Sequence, residues 1–413
     1  MQMLRRAAAV AAATFSFGLL AAGAAPAVEL NADDPSADAR FGYSVALSDD
    51  GNRALVGNVY RSGLPSAVYV FERSGGIWSQ VDKLTASDGV TGDRFGSDVA
   101  LSGNGDRAVV SAPGEAGGGA VYVLDRDSGG SWTEVTKIDG PTGSSGFADA
   151  VAVSDDGSQL VLGNACGGTN CQGRAHFYSV DAAGTATAGL TISGLSDTAF
   201  LGWNVAISGD GATAVVGQDG YNYVSGSRTI YQSNVLTFRR SSGSWSYTRQ
   251  VNTPRGATGD GFGQDALALS DDGRYMLVGA SAGGTISGTA VGGRGYLFTW
   301  GGTSWAHSTT FSVTTSNWCE FGQDGDLSDD GSVVLLTKPE CTSANAYGGG
   351  AAAKWTRSTG TTWTSVSYQP AGLASGDKFG SSAALPADGS TPLFGALSRT
   401  AAGLSWAGAA FAY

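Results

Sequence analysis

Apolar positions along the chain come in short runs, alternating or continuous, each broken after a few residues by glycine, aspartate or serine. The first four runs are Tyr43–Leu47, Arg53–Gly57, Ala67–Phe71 and Trp78–Leu84. Each has the length and pattern of a strand. Apolar residues at helical spacing are nearly absent. The four-run pattern then returns, with copies starting at Phe41-Gly42, Phe95-Gly96, Phe147-Ala148, Leu201-Gly202, Phe262-Gly263, Phe321-Gly322 and Phe379-Gly380. A four-stranded antiparallel unit of this size cannot bury both faces alone, so neighbouring units must stack. The pattern predicts an all-β fold, a seven-bladed β-propeller of four-stranded antiparallel blades.

The ends of the pattern predict how the ring closes. The last copy stops at Ala409–Tyr413, which matches a third strand, and Val28 to Asp33 resembles the end of a fourth. The N-terminal strand is therefore expected to pair in the last blade and leave no open edge. The second run is the most regular, giving Ala-Leu-Val-Gly at 54–57 and Val-Val-Ser-Ala-Pro at 109–113, while the sixth copy departs with Leu-Leu-Thr-Lys-Pro at 335–339.

Composition narrows the setting. Arg5 and Arg6 precede an apolar run, Ala7 to Ala22, that leads to Ala25-Pro26-Ala27, so residues 1–27 read as a secretory signal and 28–413 as the propeller. The run is short for a membrane span and contains Thr14 and Ser16. Glycine accounts for 65 of 413 residues and charged residues for only 15%, as expected of many short strands joined by glycine turns. A net charge of -12 repels a phosphate backbone and argues against a nucleic-acid partner. Four cysteines in an exported chain favour disulfides over metal, and Cys319 and Cys341 are too far apart for the second close pair of a zinc site. The expected location is secreted, extracellular or periplasmic.

Phe41-Gly42, Ser-Val-Ala-Leu-Ser at 44–48, Val-Ser-Ala-Pro at 110–113 and Gly-Ala-Val-Tyr-Val at 119–123 together resemble the FG-GAP repeat of integrin α-subunit propellers and their bacterial relatives. The resemblance implies that the Phe-Gly loops and the loops between strands two and three share an upper, ligand-facing rim, with the strand one to two turns below. Both cysteine pairs then fall on that rim, and the expected disulfides are Cys166–Cys171 and Cys319–Cys341.

Many FG-GAP blades resemble a calcium loop, but here the lower turns read Ser-Asp-Asp-Gly at 48, 154, 270 and 328, Ser-Gly-Asn-Gly at 102, Ser-Gly-Asp-Gly at 208 and Pro-Ala-Asp-Gly at 386. Only Asp/Asn-Gly persists, which is a turn signal and offers too few oxygens for an ion. No cofactor is expected. His176 and His307 fall on strands and read as structural, and no nucleophile elbow or paired-histidine motif occurs. Trp78, Trp132, Trp245, Trp305 and Trp363 repeat at one fourth-strand position and read as packing.

Candidate ligand-binding residues are those that vary beside the fixed Phe-Gly: Tyr43, Asp98, Asp149, Trp203, Asp265 and Asp324, joined by Tyr221, Tyr223 and Trp318 in rim loops. The expected function is non-catalytic binding or adhesion, with an extracellular protein or glycan held at the upper rim. The glycan version resembles fungal integrin-like lectins. The alternatives are a secreted carbohydrate-active hydrolase or lyase using Asp98, Asp265 or Asp324 at the channel mouth, and a structural envelope-assembly protein.

Overall fold

The computed structural model describes residues 26–61, 63–141, 146–167, 169–194, 199–225, 228–254, 260–282, 285–286, 289–290, 293–312, 320–341 and 348–413. Residues 1–25 of the leader, Trp318 and Cys319 lie outside the described residues. The described chain forms seven four-stranded antiparallel sheets. Blade one consists of Phe41–Leu47, Arg53–Asn58, Ala67–Ser74 and Ile77–Leu84, close to the four runs of the sequence. The last blade takes Val28–Leu30 as its fourth strand, with Val28 opposite Ala412 and Leu30 opposite Ala410. Glu29 and Arg399 pair at 3.1 Å beside that junction.

Each blade is thin, so the apolar residues meet between blades. Seven hydrophobic clusters form, one at each blade boundary. The repeated tryptophans pack at their edges, with Trp78 against the blade seven–one cluster and Trp363 inside the blade five–six cluster. His176 is buried on strand three of its blade against Phe147, and burial lowers its pKa to about 4.

The two glycines of the repeat meet across these boundaries. A methyl added to the strand-two glycine at 57, 163, 217, 279 or 395 would lie 1.7–2.4 Å from the carbonyl oxygen of Gly96, Gly202, Gly263, Gly322 or Gly42 in the next blade. Glycine is required there by close backbone approach. Blade six, the copy that departs, still forms its second strand, Val333–Lys338, and lays Thr337 against Gly380.

The lower turns are one structure used seven times. In blade one, Gly51 donates its N–H to the Ser48 carbonyl, Asp50 accepts from the Asn52 N–H, and Arg53 N–H donates to Ser48 Oγ. This is a type I turn closed by Gly51 at positive φ. The residue in its second position faces the axis, and a belt of backbone hydrogen bonds links these positions, except that in blade four Gly209 accepts while the next residue, Asp210, donates. Asp49 donates to Gly103, Gly103 to Asp155, Asp155 to Gly209, Asp210 to Asp271, Asp271 to Asp329, Asp329 to Ala387 and Ala387 to Asp49, at 2.9–3.1 Å.

Candidate binding site at the upper mouth

Strand one of every blade lines a central channel of about 510 Å³. Its channel-side N–H groups have no strand to pair with, and a buried donor must find an acceptor elsewhere. Side chains supply it from the neighbouring blade. Asp98 accepts from Val99 N–H through one oxygen and from Val151 N–H of blade three through the other. Asp324 bridges Gly325 and Ala383 in the same way, and Asp326 bridges Leu327 and Leu385. Ser44 and Ser382 donate across their boundaries to the Gly96 and Gly42 carbonyls.

Asp98 and Asp324, grouped in sequence with the mouth residues, are thus set into the channel wall as inter-blade ties. Burial raises their pKa values to about 7 and about 8 against the lowering effect of the backbone hydrogen bonds. Asp265 is different again. The stretch from the first residue of the repeat to the first residue of the lower turn is one residue longer in blade five, Phe262 to Ser270, than in the other six. Ala266 therefore occupies the tying position, since Gly279 N–H donates to its carbonyl as Ser111 N–H does to Asp98. Asp265 turns instead to its own blade, accepting from Ser281 N–H, and burial raises its pKa to about 7.

Tyr43, Asp149 and Trp203 do gather. Together with Arg94, Ser97, Pro113, Ala165, Cys166 and Phe200 they line a pocket of about 320 Å³ on the upper face. Trp203 is 45% exposed and stands edge-on to Phe200 at 6.1 Å. Asp149 is held by the Ala165 N–H, and burial raises its pKa to about 6 against the opposing effects of that bond and of Arg94. The disulfide Cys166–Cys171 closes the adjoining loop, as the sequence predicts. Cys341 is also disulfide-bonded, while Cys319 lies outside the described residues. Tyr221 and Tyr223 lie on the long second strand of blade four, Thr213–Ser225, but their side chains, like Trp318, are outside what is described.

One set of mouth residues was missed by the sequence reading. The residue before each Phe-Gly is left-handed in all seven blades: Arg40, Arg94, Gly146, Phe200, Gly261, Glu320 and Lys378, with φ between 46 and 71°. Five of these are not glycine, although that backbone region is costly for other residues. They carry no shared motif, and only Gly146 and Gly261 hint at the conformation. The effect is to set Arg94 and Phe200 on the wall of the pocket.

The FG-GAP repeat family matches residues 27–71 and 78–124, which fall in the first two blades and the strand that closes the ring. No curated protein is a significant sequence match. Among solved structures, a Bacteroides uniformis protein provisionally named a 6-phosphogluconolactonase is 13% identical, with TM-score 0.53 over 80% of this chain and 85% of that one. A Lactobacillus plantarum protein is 15% identical, with TM-score 0.53 over 80% and 86%. A Bacteroides fragilis protein, also provisionally named a 6-phosphogluconolactonase, is 14% identical, with TM-score 0.52 over 80% and 84%. Likeness at this identity establishes the shared fold and nothing of the chemistry.

Proposed function

We propose that this chain, a seven-bladed propeller of FG-GAP repeats, is a non-catalytic binding module whose upper mouth takes an extracellular glycan. The observation that carries the reading is the pocket between Tyr43 and Trp203. Its size suits one or two sugar rings, its rings offer apolar faces with polar edges, and Trp203 is exposed where a ligand would stack. The neighbouring disulfide loop pre-organises the rim, which lowers the ordering cost of binding. Export is supported by the same disulfide. Among the described residues no helix is long and apolar enough to cross a membrane.

The test is a glycan array followed by calorimetry on the best hit. Trp203→Ala should weaken binding about tenfold or more, as loss of an aromatic anchor does. An array with no glycan bound, or binding indifferent to Trp203, refutes the reading.

A hydrolase at the mouth is the second reading, favoured by Asp149 and Asp265, whose pKa values of about 6 and about 7 suit acid–base work. Two of the solved structures above carry a lactonase name, which keeps lactone and glycoside hydrolysis worth assaying. Under that reading Asp149→Asn abolishes turnover. Under the binding reading no turnover exists to abolish.

A further inference from the structure

We propose that the glycan is acidic, carrying sugar carboxylates that Arg94 grips in the pocket and Arg40 grips one blade away. This rests on the binding reading above and names its ligand class.

The arginines themselves carry the case. Arg94 lines the pocket, and its Nε is shut from water with no acceptor, while the one acid beside it, Asp149, acts on it through charge without an ion pair at contact distance among the described residues. The chain has 36 acids to 24 basic residues, so an internal acidic partner is not scarce, and because the net charge of -12 repels a polyanion at long range, the grip on a uronate must be local. Arg53, Arg61, Arg107, Arg126 and Arg399 are each fastened to a carboxylate. A half-buried guanidinium whose Nε finds no acceptor is the complement of a carboxylate supplied from outside. Asp149 is hydrogen-bonded by the Ala165 N–H and sits within the field of Arg94, so a ligand carboxylate would compete with a neighbour whose own hydrogen bond is made elsewhere.

Arg40 repeats the arrangement in blade one. Its guanidinium lies over the Tyr60 ring at 4.6 Å and near the Trp406 ring at 5.9 Å, and among the described residues no carboxylate pairs with it. Tyr60 and Trp406 are 38% and 50% exposed. Tyr43 joins the two places, meeting Tyr60 edge-on at 6.4 Å while lining the Arg94 pocket. The upper face therefore carries a track of ring faces with two cations set into it that, among the described residues, no carboxylate holds at ion-pair distance, the pattern that stacks sugar rings and reads their acid groups.

Backbone strain points the same way. Arg40 and Arg94 sit at φ 54° and 61°, where blades three and five use glycine. The conformation belongs to the repeat, since all seven blades adopt it, and keeping arginine rather than glycine there holds a cation at the mouth.

The experiment measures binding of the full-length secreted protein to polygalacturonate and alginate, to the carboxyl-reduced form of the same polygalacturonate, and to poly-glutamate as a charge control. The expected result is binding to the uronate polymers, about tenfold or more weaker for the carboxyl-reduced polymer and for Arg94→Gln. Arg94→Gly should also lose binding while its melting temperature rises, because the strain is relieved. A gain in stability with loss of binding cannot be mistaken for misfolding. Equal binding to the carboxyl-reduced polymer, or undiminished binding by Arg94→Gly, overturns the acidic assignment. If neutral glycans bind and Trp203→Ala abolishes that binding, the binding reading stands and this inference falls. Poly-glutamate binding as tight as that of the uronates overturns the glycan class. Absence of binding to every polymer overturns this inference and leaves the binding reading to the glycan array.

Discussion

Asp49 and Asp50 are neighbours with different surroundings. Asp50 is spent on its own turn: although burial pushes its pKa upward, hydrogen bonds from Ser48 and Asn52 hold it below the usual value. Asp49 faces the axis, where burial and then the charges of Asp271 and Asp50 push it up. The turn is legible in sequence because its partners lie within a few residues. The axial role is not, because Asp271 comes from blade five. The same contrast separates two kinds of glycine. Gly217→Ala would place a methyl 1.7 Å from a backbone oxygen of the next blade, whereas Gly243→Ala meets nothing within 4 Å and only forces φ of +80° on alanine. Chemical denaturation should show a loss upward of ~3 kcal/mol for the first and about 1 kcal/mol for the second. Equal losses would mean that backbone conformation, not blade contact, fixes the repeat's glycines.

At the level of strands, the alternation in the sequence locates the blades well, because a strand's pattern is written in its own residues. What one blade does to the next is not written there. Asp98, Asp149 and Asp265 look alike beside Phe-Gly, yet one ties two blades, one lines the pocket and one serves a loop. The extra residue in blade five is visible in the spacing, but its consequence depends on register with Gly279. The ties make a specific exchange pattern: Val151 and Ala383 amides face the channel with no strand partner, yet each donates to a carboxylate at 2.8 Å. Both should exchange slowly with deuterium. Asp98→Ala should speed Val151 by about tenfold or more while leaving Ala383 unchanged, which hydrogen-exchange mass spectrometry or NMR can read. Uniform acceleration of both would mean the ring opens as a whole rather than at one tie.

For the whole molecule, the buried acids set the response to pH. Burial raises Asp326 to about 6, Asp98 and Asp265 to about 7 and Asp324 to about 8. A folded state that prefers these carboxyls protonated gains stability that is fully present below their unfolded pKa of about 4. That stability is lost as pH rises through about 6 to 8. The turn acids such as Asp50 and Asp330 are lowered in the folded state and act oppositely, losing their contribution below about pH 4. Thermal stability should therefore peak near pH 5 and fall by several degrees toward pH 8. Asp324→Asn should flatten that fall. A melting temperature that climbs from pH 5 to pH 8 would contradict the assignment.

The junction that closes the ring has a further meaning. Val28 stands directly opposite Ala412 in the last sheet, so the two ends of the folded chain are neighbours in a ladder, as the two arms of a hairpin are. A short linker from Tyr413 to Ala27 would make that hairpin real. The lower belt treats this boundary as it does the boundary of blades one and two, with Ala387 bonded to Asp49 as Asp49 is bonded to Gly103. In the folded state the backbone is a loop without a privileged starting point, and where synthesis begins is a matter of gene order rather than of architecture.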